Sequence, residues 1–516
     1  MDGFPRTESG RLSTGTEAKA LDLAAASGWG LQPAALVEAA GRACAAAFRG
    51  ILPFRNRGIA VLAGSGNNAA DALVMLRALI LEGRAAADSC IVLLSKPPDS
   101  AGGSLMYANL VPLRRMGARI AEWNAERGIW DAGFGTIIDG IAGTGIDGPL
   151  RGTALEMATA ANSRAKGICV VSIDVPSGAF DGMRPGTQSV RADFTLAVEP
   201  AKLCLYSPAV RPNAGTIIPV GGIFPGSLVA EHSAAELLTW EQASERIPAV
   251  PAHVHKYGRG LVEIRAGSPG AVGAARLAAI GCQAAGAGIV RLLADDATVH
   301  DALAGSCDGI MVVPPDAPTE EGRFSPSAAL LGPGWGRSAD RAAILEDYLA
   351  LESRGLPLVL DADAIALAGR RTFSGNAILT PHIGEFAVLS GIDKDDVLAD
   401  PVGAAGTFAK ERNATVLLKS HVTHVASPDG RIGVIDGMNP ALASGGSGDL
   451  LAGFCAAIAA RAGVENRFDG YDCACAAASL LVRAAEPQGD APGFVDPGEL
   501  ARIAAFVAGG AWIRRP

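Results

Sequence analysis

Short runs of Val, Ile and Leu recur along this chain, most of them closed by a Gly or Asp turn signal and followed by an Ala-rich periodic stretch. The first half holds such runs at 58–62, 90–94, 136–139, 169–174 and 194–198. They read as strands, and strands alternating with helices imply right-handed crossovers and a mostly parallel sheet. Between 224 and 251 the texture changes to a polar helical piece bounded by Pro and Gly, which reads as a linker. The pattern restarts at 261–264, 289–293, 329–331, 356–360, 377–379 and 415–418, and ends in a long Ala-rich helical region from Leu450. The expected organisation is α/β throughout: a domain at 1–228, a linker at 229–250 and a second domain at 251–516. No internal repeat is visible.

Composition narrows the classes. At roughly 100–200 residues per domain, 516 residues predict two to four domains. Hydrophobic residues make up 49% and charged residues 19%, enough to bury large cores, so disorder is excluded as the dominant state. Aromatics are only 5% while there are 65 glycines, which suits close-packed helices and Gly-rich loops. Lys and Arg number 44 against 53 Asp and Glu, a net charge of −9 with no long basic run. That excludes nucleic acid as the expected partner and repels anionic membranes. The nine cysteines form no C-x-x-C, so a disulfide framework or thiolate zinc site is not expected and a cytoplasmic setting is. The first twenty residues hold no apolar signal core. The nearly apolar stretch at 271–290 carries Arg276 and Gln283 and reads as a buried helix of a soluble protein.

In the first half a strand runs into Gly64-Ser65-Gly66-Asn67-Asn68 and then a helix begins. A glycine turn at a helix N-terminus offers free N–H groups to an anion, although a lone Gly-x-Gly is equally a tight turn. Two more strands end in carboxylates and glycine turns, at Asp139 and at Asp174, the latter followed by Pro176-Ser177-Gly178. In open α/β sheets the ligand lies beyond the carboxyl ends of the strands, so Asn68, Asp139, Asp174 and Ser177 are expected to converge on one crevice. All seven histidines lie at 232 or later. Proton chemistry in the first half then falls to Asp174 and Asp139, with Lys202 as a third group. The oxygen-rich set Asn68, Asp139 and Ser177 suits a hard cation.

The motifs V-E-A-A-G-R at 37–42, G-S-G-N-N-A-A-D at 64–71, D-G-I-A-G-T-G at 139–145 and D-V-P-S-G at 174–178 resemble the NAD(P)H-hydrate epimerase family over about residues 12–225. The resemblance implies a Rossmann-like three-layer domain with K⁺ on Asn68, Asp139 and Ser177. It implies hydrate binding by Asn67, Asn68, Asp71, Gly143, Thr144, Gly145, Gly148, Pro149 and Asp174, with Asp174 catalytic. The family's loop runs G-N-N-G-G-D-G, whereas Ala69, Ala70 and Ala72 stand here in place of three glycines. Each adds a Cβ where the backbone would need positive φ or close approach to a phosphate, so weakened epimerase turnover is expected.

In the second half, Asn439-Pro440-Ala441-Leu442-Ala443-Ser444-Gly445-Gly446-Ser447-Gly448-Asp449 opens the Ala-rich helix. Glycines at a helix N-terminus present N–H donors to a transferring phosphoryl group, and Asp449 is placed to take a proton from a hydroxyl. Further turn segments follow predicted strands at 332–336, 360–364, 379–386 and 417–421. Together with His255-Lys256-Tyr257-Gly258-Arg259-Gly260, they resemble the ADP-dependent NAD(P)H-hydrate dehydratase family, of ribokinase-like three-layer fold, over about residues 250–510. The resemblance implies hydrate binding by Gly334, His382, Ile383, Gly384, Glu385, Phe386 and Asp449, with Asp449 catalytic. It implies an adenine nucleotide on Lys419, Ser420, His421, Val422, Thr423, Gly445, Gly446, Ser447 and Gly448, with ADP as co-substrate and Mg²⁺ neutralising it. The pairs His253/His255 and His421/His424 lack the third ligand of a zinc site, and none is expected.

Both resemblances imply one substrate class, hydrated NADH or NADPH: the second domain dehydrates the S-hydrate and the first interconverts R and S. A homo-oligomer is the expected state. The alternative is a small-alcohol kinase of ribokinase-like fold carrying a non-catalytic N-terminal binding domain. Its mark would be a stable phosphorylated product.

Overall fold

The computed structural model describes residues 10–51, 58–97, 104–123, 134–306, 308–317, 325–486 and 494–513; the first nine residues and Cys307 lie outside them. The chain divides into two compact units. One is Met1–Glu236 with Leu398–Asp400; the other is Leu237–Val397 with Pro401–Pro516.

The first unit runs β1 (Arg11–Ser13), α1 (Gly15–Trp29), α2 (Pro33–Arg49), β2 (Gly58–Ala63), α3 (Asn67–Leu81), β3 (Cys90–Leu94), α4 (Leu105–Arg115), β4 (Arg119–Glu122), β5 (Phe134–Gly140) and α5 (Gly152–Asn162). It continues with β6 (Cys169–Ile173), β7 (Phe194–Val198), β8 (Ala201–Lys202), β9 (Thr216–Val220), α6 (Gly226–Glu231) and β10 (Ala235–Leu237). The main sheet has order β4-β3-β2-β5-β6-β7-β9 with every pair parallel. Its central strands, such as β2, β3 and β6, are buried along nearly their whole length because both faces are covered. Along β2, Ile59, Val61 and Ala63 enter the core under α2, α3 and α4. Ala60 and Leu62 enter the opposite core, under α5. The strand order reverses between β2 and β5, and the crevice past their carboxyl ends is where such a sheet takes a ligand.

The second unit runs α7 (Trp240–Glu245), β11 (Leu261–Arg265), α8 (Val272–Ala284), β12 (Ile289–Leu293), α9 (Ala297–Leu303), β13 (Met311–Val313), β14 (Ala328–Leu331), α10 (Ala339–Glu352), β15 (Leu358–Leu360) and α11 (Ala362–Ala368). There follow β16 (Ala377–Leu379), α12 (Ile383–Ser390), α13 (Lys394–Ala399), α14 (Pro401–Arg412), β17 (Thr415–Leu418), β18 (Val422–Ala426) and β19 (Ile432–Asp436). The last helices are α15 (Ser447–Val464), α16 (Gly470–Ala484) and α17 (Pro497–Trp512). The order β13-β12-β11-β14-β15-β16-β17 is parallel, and β18 and β19 extend it antiparallel. α15 packs along α8, and small side chains such as Ala275, Ala278, Ala452 and Ala456 let the two helices lie close inside one core.

Every expected apolar run is a strand. Among the strands not anticipated, β4 is the edge segment RIAE, β9 carries a proline, and β18 and β19 form a buried hairpin. Residues 229–250, read as linker, carry the end of α6, then β10 and α7. Trp240 of α7 packs edge-on against Trp512 with ring centroids 5.1 Å apart, and Trp512 Nε1 donates to Ser244 O at 3.1 Å. Burying an aromatic pair anchors that stretch to the second unit's core.

Candidate active sites of the two units

In the first unit the loops after β2, β5 and β6 meet at a cavity of about 680 Å³. Asn67, Asn68 and Asp71 reach it from the start of α3, Gly143, Thr144 and Gly145 from the loop after β5, and Asp174 and Lys202 from the far side. Gly148 and Pro149 do not line it. Asp139 and Ser177 are fully buried and hold one another. The Ser177 hydroxyl donates to Asp139 Oδ1 at 2.5 Å, and the Ser177 amide to Oδ2 at 2.9 Å. Ser172 Oγ donates to Oδ2 at 2.7 Å. Burial raises the Asp139 carboxyl above its ordinary range, and these hydrogen bonds oppose that shift. Asn68 is buried with neither atom of its amide bonded.

Asp174 sits at φ 66°, a left-handed conformation rare for a non-glycine residue. Lys202 Nζ lies 2.7 Å from Asp174 Oδ1 and donates to Val198 O at 3.0 Å. Burial pushes the Asp71 carboxyl well above its ordinary range; the charges of Asp174 and Asp22 add to this and Lys202 opposes it. Asp71 thus stands beside an ion pair in surroundings that favour its protonated form. The three alanines of the loop are helical residues of α3, fully buried, and none lines the cavity.

In the second unit the loops after β11 and β14 clasp each other where the strand order reverses. Gly267 N donates to Pro333 O at 2.9 Å, and Ser268 Oγ to Gly334 O at 2.8 Å. Next in the sheet come the ends of β15, β16 and β17. Lys419 N donates to Pro381 O at 2.8 Å, and Lys419 Nζ lies 2.7 Å from Asp361 Oδ1. Thr380 Oγ1 donates to the same oxygen at 2.8 Å.

Above these ends stands the N-terminus of α15. Gly446, its N-cap, has φ 100°, which a side chain resists; a Cβ there would meet Leu277 Cδ1 at 2.4 Å. A Cβ on Gly448 would lie 3.6 Å from Lys419 Nζ, so the ammonium sits at the helix N-terminus among its free N–H groups. Asp449 follows in the first turn. Burial, reinforced by the charge of Asp361 and opposed by Lys419, raises its carboxyl to about 6.

Not every expected contact residue faces this site. Ile383 and Phe386 are buried, Phe386 against Phe408 with ring centroids 5.3 Å apart. His382 is the N-cap of α12: its Nδ1 accepts from Gly384 N at 3.0 Å and Glu385 N at 3.2 Å, and its own amide donates to Glu385 Oε2 at 2.9 Å. Lys419, Ser420 and His421 form the turn before β18, while Val422 and Thr423 are buried strand residues. Asp361 and Thr380 received no role from the sequence, and their signal was position alone, directly after a strand. Asp22, which lines the first cavity, had no motif to mark it.

Residues 33–204 match the family described as YjeF-related protein N-terminus, and residues 262–505 match the family described as NAD(P)H-hydrate dehydratase. The bifunctional NAD(P)H-hydrate repair enzyme Nnr of Gloeobacter violaceus is 34% identical over 84% of this chain and 85% of its own. That of Salinibacter ruber is 31% identical over 84% of each. Among solved structures, the ADP/ATP-dependent NAD(P)H-hydrate dehydratase from Bacillus subtilis co-crystallized with ATP/Mg²⁺ has 25% identity and a TM-score of 0.46, covering 52% of this chain and 96% of that one. With both halves matched and relatives alike over most of their length, the chain belongs to the family of bifunctional NAD(P)H-hydrate repair enzymes.

Proposed function

We propose that the C-terminal domain, residues 251–516, dehydrates the S-hydrate of NADH or NADPH at the expense of ADP, and that the N-terminal domain, residues 1–228, interconverts the R and S hydrates. The observation that supports it best is Asp449, a half-buried carboxylate raised to about 6 in the first turn of a helix that opens on a glycine loop with Lys419 beside it.

Hydroxide is a poor leaving group. The hydrate's hydroxyl oxygen attacks the terminal phosphorus of ADP while Asp449 takes its proton, and the P–O bond to AMP breaks. The N–H groups of Gly445, Gly446 and Gly448, with Lys419, hold the charge on the transferring group, while the Ser447 amide donates to Ser444 O and braces the loop. Loss of phosphate from the ring, with a proton from the neighbouring carbon, restores the dihydronicotinamide. Among the described residues no group of three or more His, Cys, Asp or Glu side chains is arranged to hold a metal ion. Mg²⁺ thus suits this site as a companion of the ADP phosphates, its usual mode, rather than as the occupant of a protein cage. Gly334, Gly384 and Glu385 border the hydrate, and Ser420 and His421 the nucleotide.

In the N-terminal domain, Asn67, Asn68, Asp71, Gly143, Thr144 and Gly145 surround the hydrate, and Asp174, fixed by Lys202, handles its proton. A buried carboxylate with only neutral donors, beside an amide with no bonds, suits a monovalent cation: K⁺ on Asn68, Asp139 and Ser177 would supply the missing positive charge. The same reading has a homo-oligomer working in the cytoplasm on small molecules, apart from nucleic acid and membrane.

The test is recovery of NADH absorbance from an R/S hydrate mixture with ADP, Mg²⁺ and K⁺. Full recovery faster than spontaneous epimerisation supports both activities. Recovery that stops at the S fraction removes the epimerase. A stable phosphorylated product instead of NADH would mean a kinase.

A further inference from the structure

This inference rests on the dehydratase reading above. Lys419 feels three carboxylates, Asp361, Glu385 and Asp449, and its ion pair is with Asp361, Nζ to Oδ1 at 2.7 Å. Asp361 is 2% exposed and stands at the N-cap of α11. An Asp there ordinarily accepts an N–H from the first turn of the helix. This one makes no side-chain capping bond; its Oδ1 takes the Lys419 ammonium and the Thr380 hydroxyl instead. The next residue, Ala362, is held at φ 44°, a conformation rare for alanine and found where surrounding structure imposes it. A cap forgone and a strained alanine together mark a carboxylate placed for something other than its helix.

We propose that Asp361 is a positioning residue of the dehydration step: by taking Lys419 as its partner it keeps that cation off Asp449 and leaves Asp449 open to the substrate hydroxyl. Asp449 is the carboxylate of this group that must accept a proton. A lysine paired with it would favour its ionised form, weaken it as a base and block its oxygens. The groups facing Asp449 are Asp361 past β15 and Lys419 past β17, with Glu385 on α12 facing Lys419. The buried Cys455 thiol on α15 feels Asp361 and Lys419 and stays protonated because burial pushes it up.

The experiment is the pH profile of kcat/KM for the S-hydrate, with ADP and Mg²⁺ and the full chain. It compares wild type, Asp361→Asn, Asp361→Glu, Lys419→Met and the Asp361→Asn/Lys419→Met double variant. Removing the Asp361 charge favours ionised Asp449 directly and frees Lys419 to approach it, so both effects move the acid limb of Asp361→Asn to lower pH. On the plateau, kcat falls at least about tenfold. Asp361→Glu recovers the limb, and the shift is smaller in the Lys419→Met background. An acid limb that stays where wild type has it, or a shift of equal size without Lys419, overturns the proposal. Should Asp361→Asn not fold, Thr380→Val loosens the same oxygen without touching charge and moves the limb the same way by less; an unmoved limb again overturns it. Wild-type enzyme that makes no NADH from the hydrate with ADP would fail the dehydratase reading instead, before any variant is compared.

Discussion

Both units place a glycine-bearing turn before a helix, yet glycine does different work in the two. In the second unit Gly445 and Gly446 precede α15, and Gly446, its N-cap, has φ 100°. In the first unit the altered positions lie past the turn, inside α3. Ala69, Ala70 and Ala72 have no positive φ and are fully buried against the sheet. A Cβ added to Gly140 at the end of β5 would come within 2.8 Å of the Ala72 Cβ, so this face of α3 packs on the strand end rather than on the cavity. At these two loops, the glycine held by its backbone is the one before the helix, while the positions inside α3 accept a methyl group.

Variants that break the second site first should have the largest effects. Asp449→Asn removes the proton acceptor and is expected to lower dehydration about 10²–10⁴-fold, with nucleotide affinity within a few-fold. Single-turnover rates and nucleotide titration check this. The same substitution is expected to stabilise the fold. Asp449 is raised from 3.8 to about 6, so the native state binds more protons than the unfolded one between those values. Stability is therefore lost as pH rises through that window. An uncharged side chain escapes the loss, and at neutral pH the stability read by thermal melting should rise by an amount on the order of 1–3 kcal/mol. In the wild type, kcat/KM should climb with pH through about 6 and then level, because only the ionised carboxylate accepts a proton. A profile flat from pH 5 to 8 would remove Asp449 as the base.

Lys202→Met sharpens the comparison from the other unit. Lys202 and Asp174 are both nearly buried, and stripping the ammonium leaves an uncompensated carboxylate. The expected cost is about 3–5 kcal/mol, with loss of epimerisation and S-hydrate dehydration kept. Gly446→Ala comes next. Its positive φ and the clash with Leu277 should cost roughly 1–3 kcal/mol and lower dehydration while leaving epimerisation unchanged. Denaturant midpoints and the two separate assays read both.

The strands at the centres of the sheets were legible because a strand buried on both faces must be apolar, as CIVLL of β3 and FTLAV of β7 are. Glycine turns at their ends marked Asp139, Asp174 and Asp449. The hairpin β18–β19 was not read because Val422 and Thr423 directly follow a turn segment, and the alternation of so short a strand is a weak signal. Asp361 carries no motif distinct from a helix cap, and only its missing capping bond and its ion pair separate the two roles. Ile383 and Phe386 belong to a site-like segment whose helix turns them into the core, a direction spacing alone does not give.

The smallest effect is the most telling. The sequence suggested that restoring glycine at Ala69, Ala70 and Ala72 would raise epimerisation. The placement of the three alanines, helical, buried and outside the cavity lining, argues for a different outcome. Glycine inside a helix loses roughly 0.5–1 kcal/mol per site against alanine, so the triple variant should lose about 1.5–3 kcal/mol of stability. Its epimerase rate should match the wild type within about twofold at temperatures where both are folded, since no atom facing the hydrate changes. A several-fold gain would mean that the start of α3 must bend when substrate enters, a motion the alanines resist. An unchanged rate with a lower melting point would mean that the glycine-to-alanine replacement is a stabilising choice within the helix and says nothing against a working epimerase.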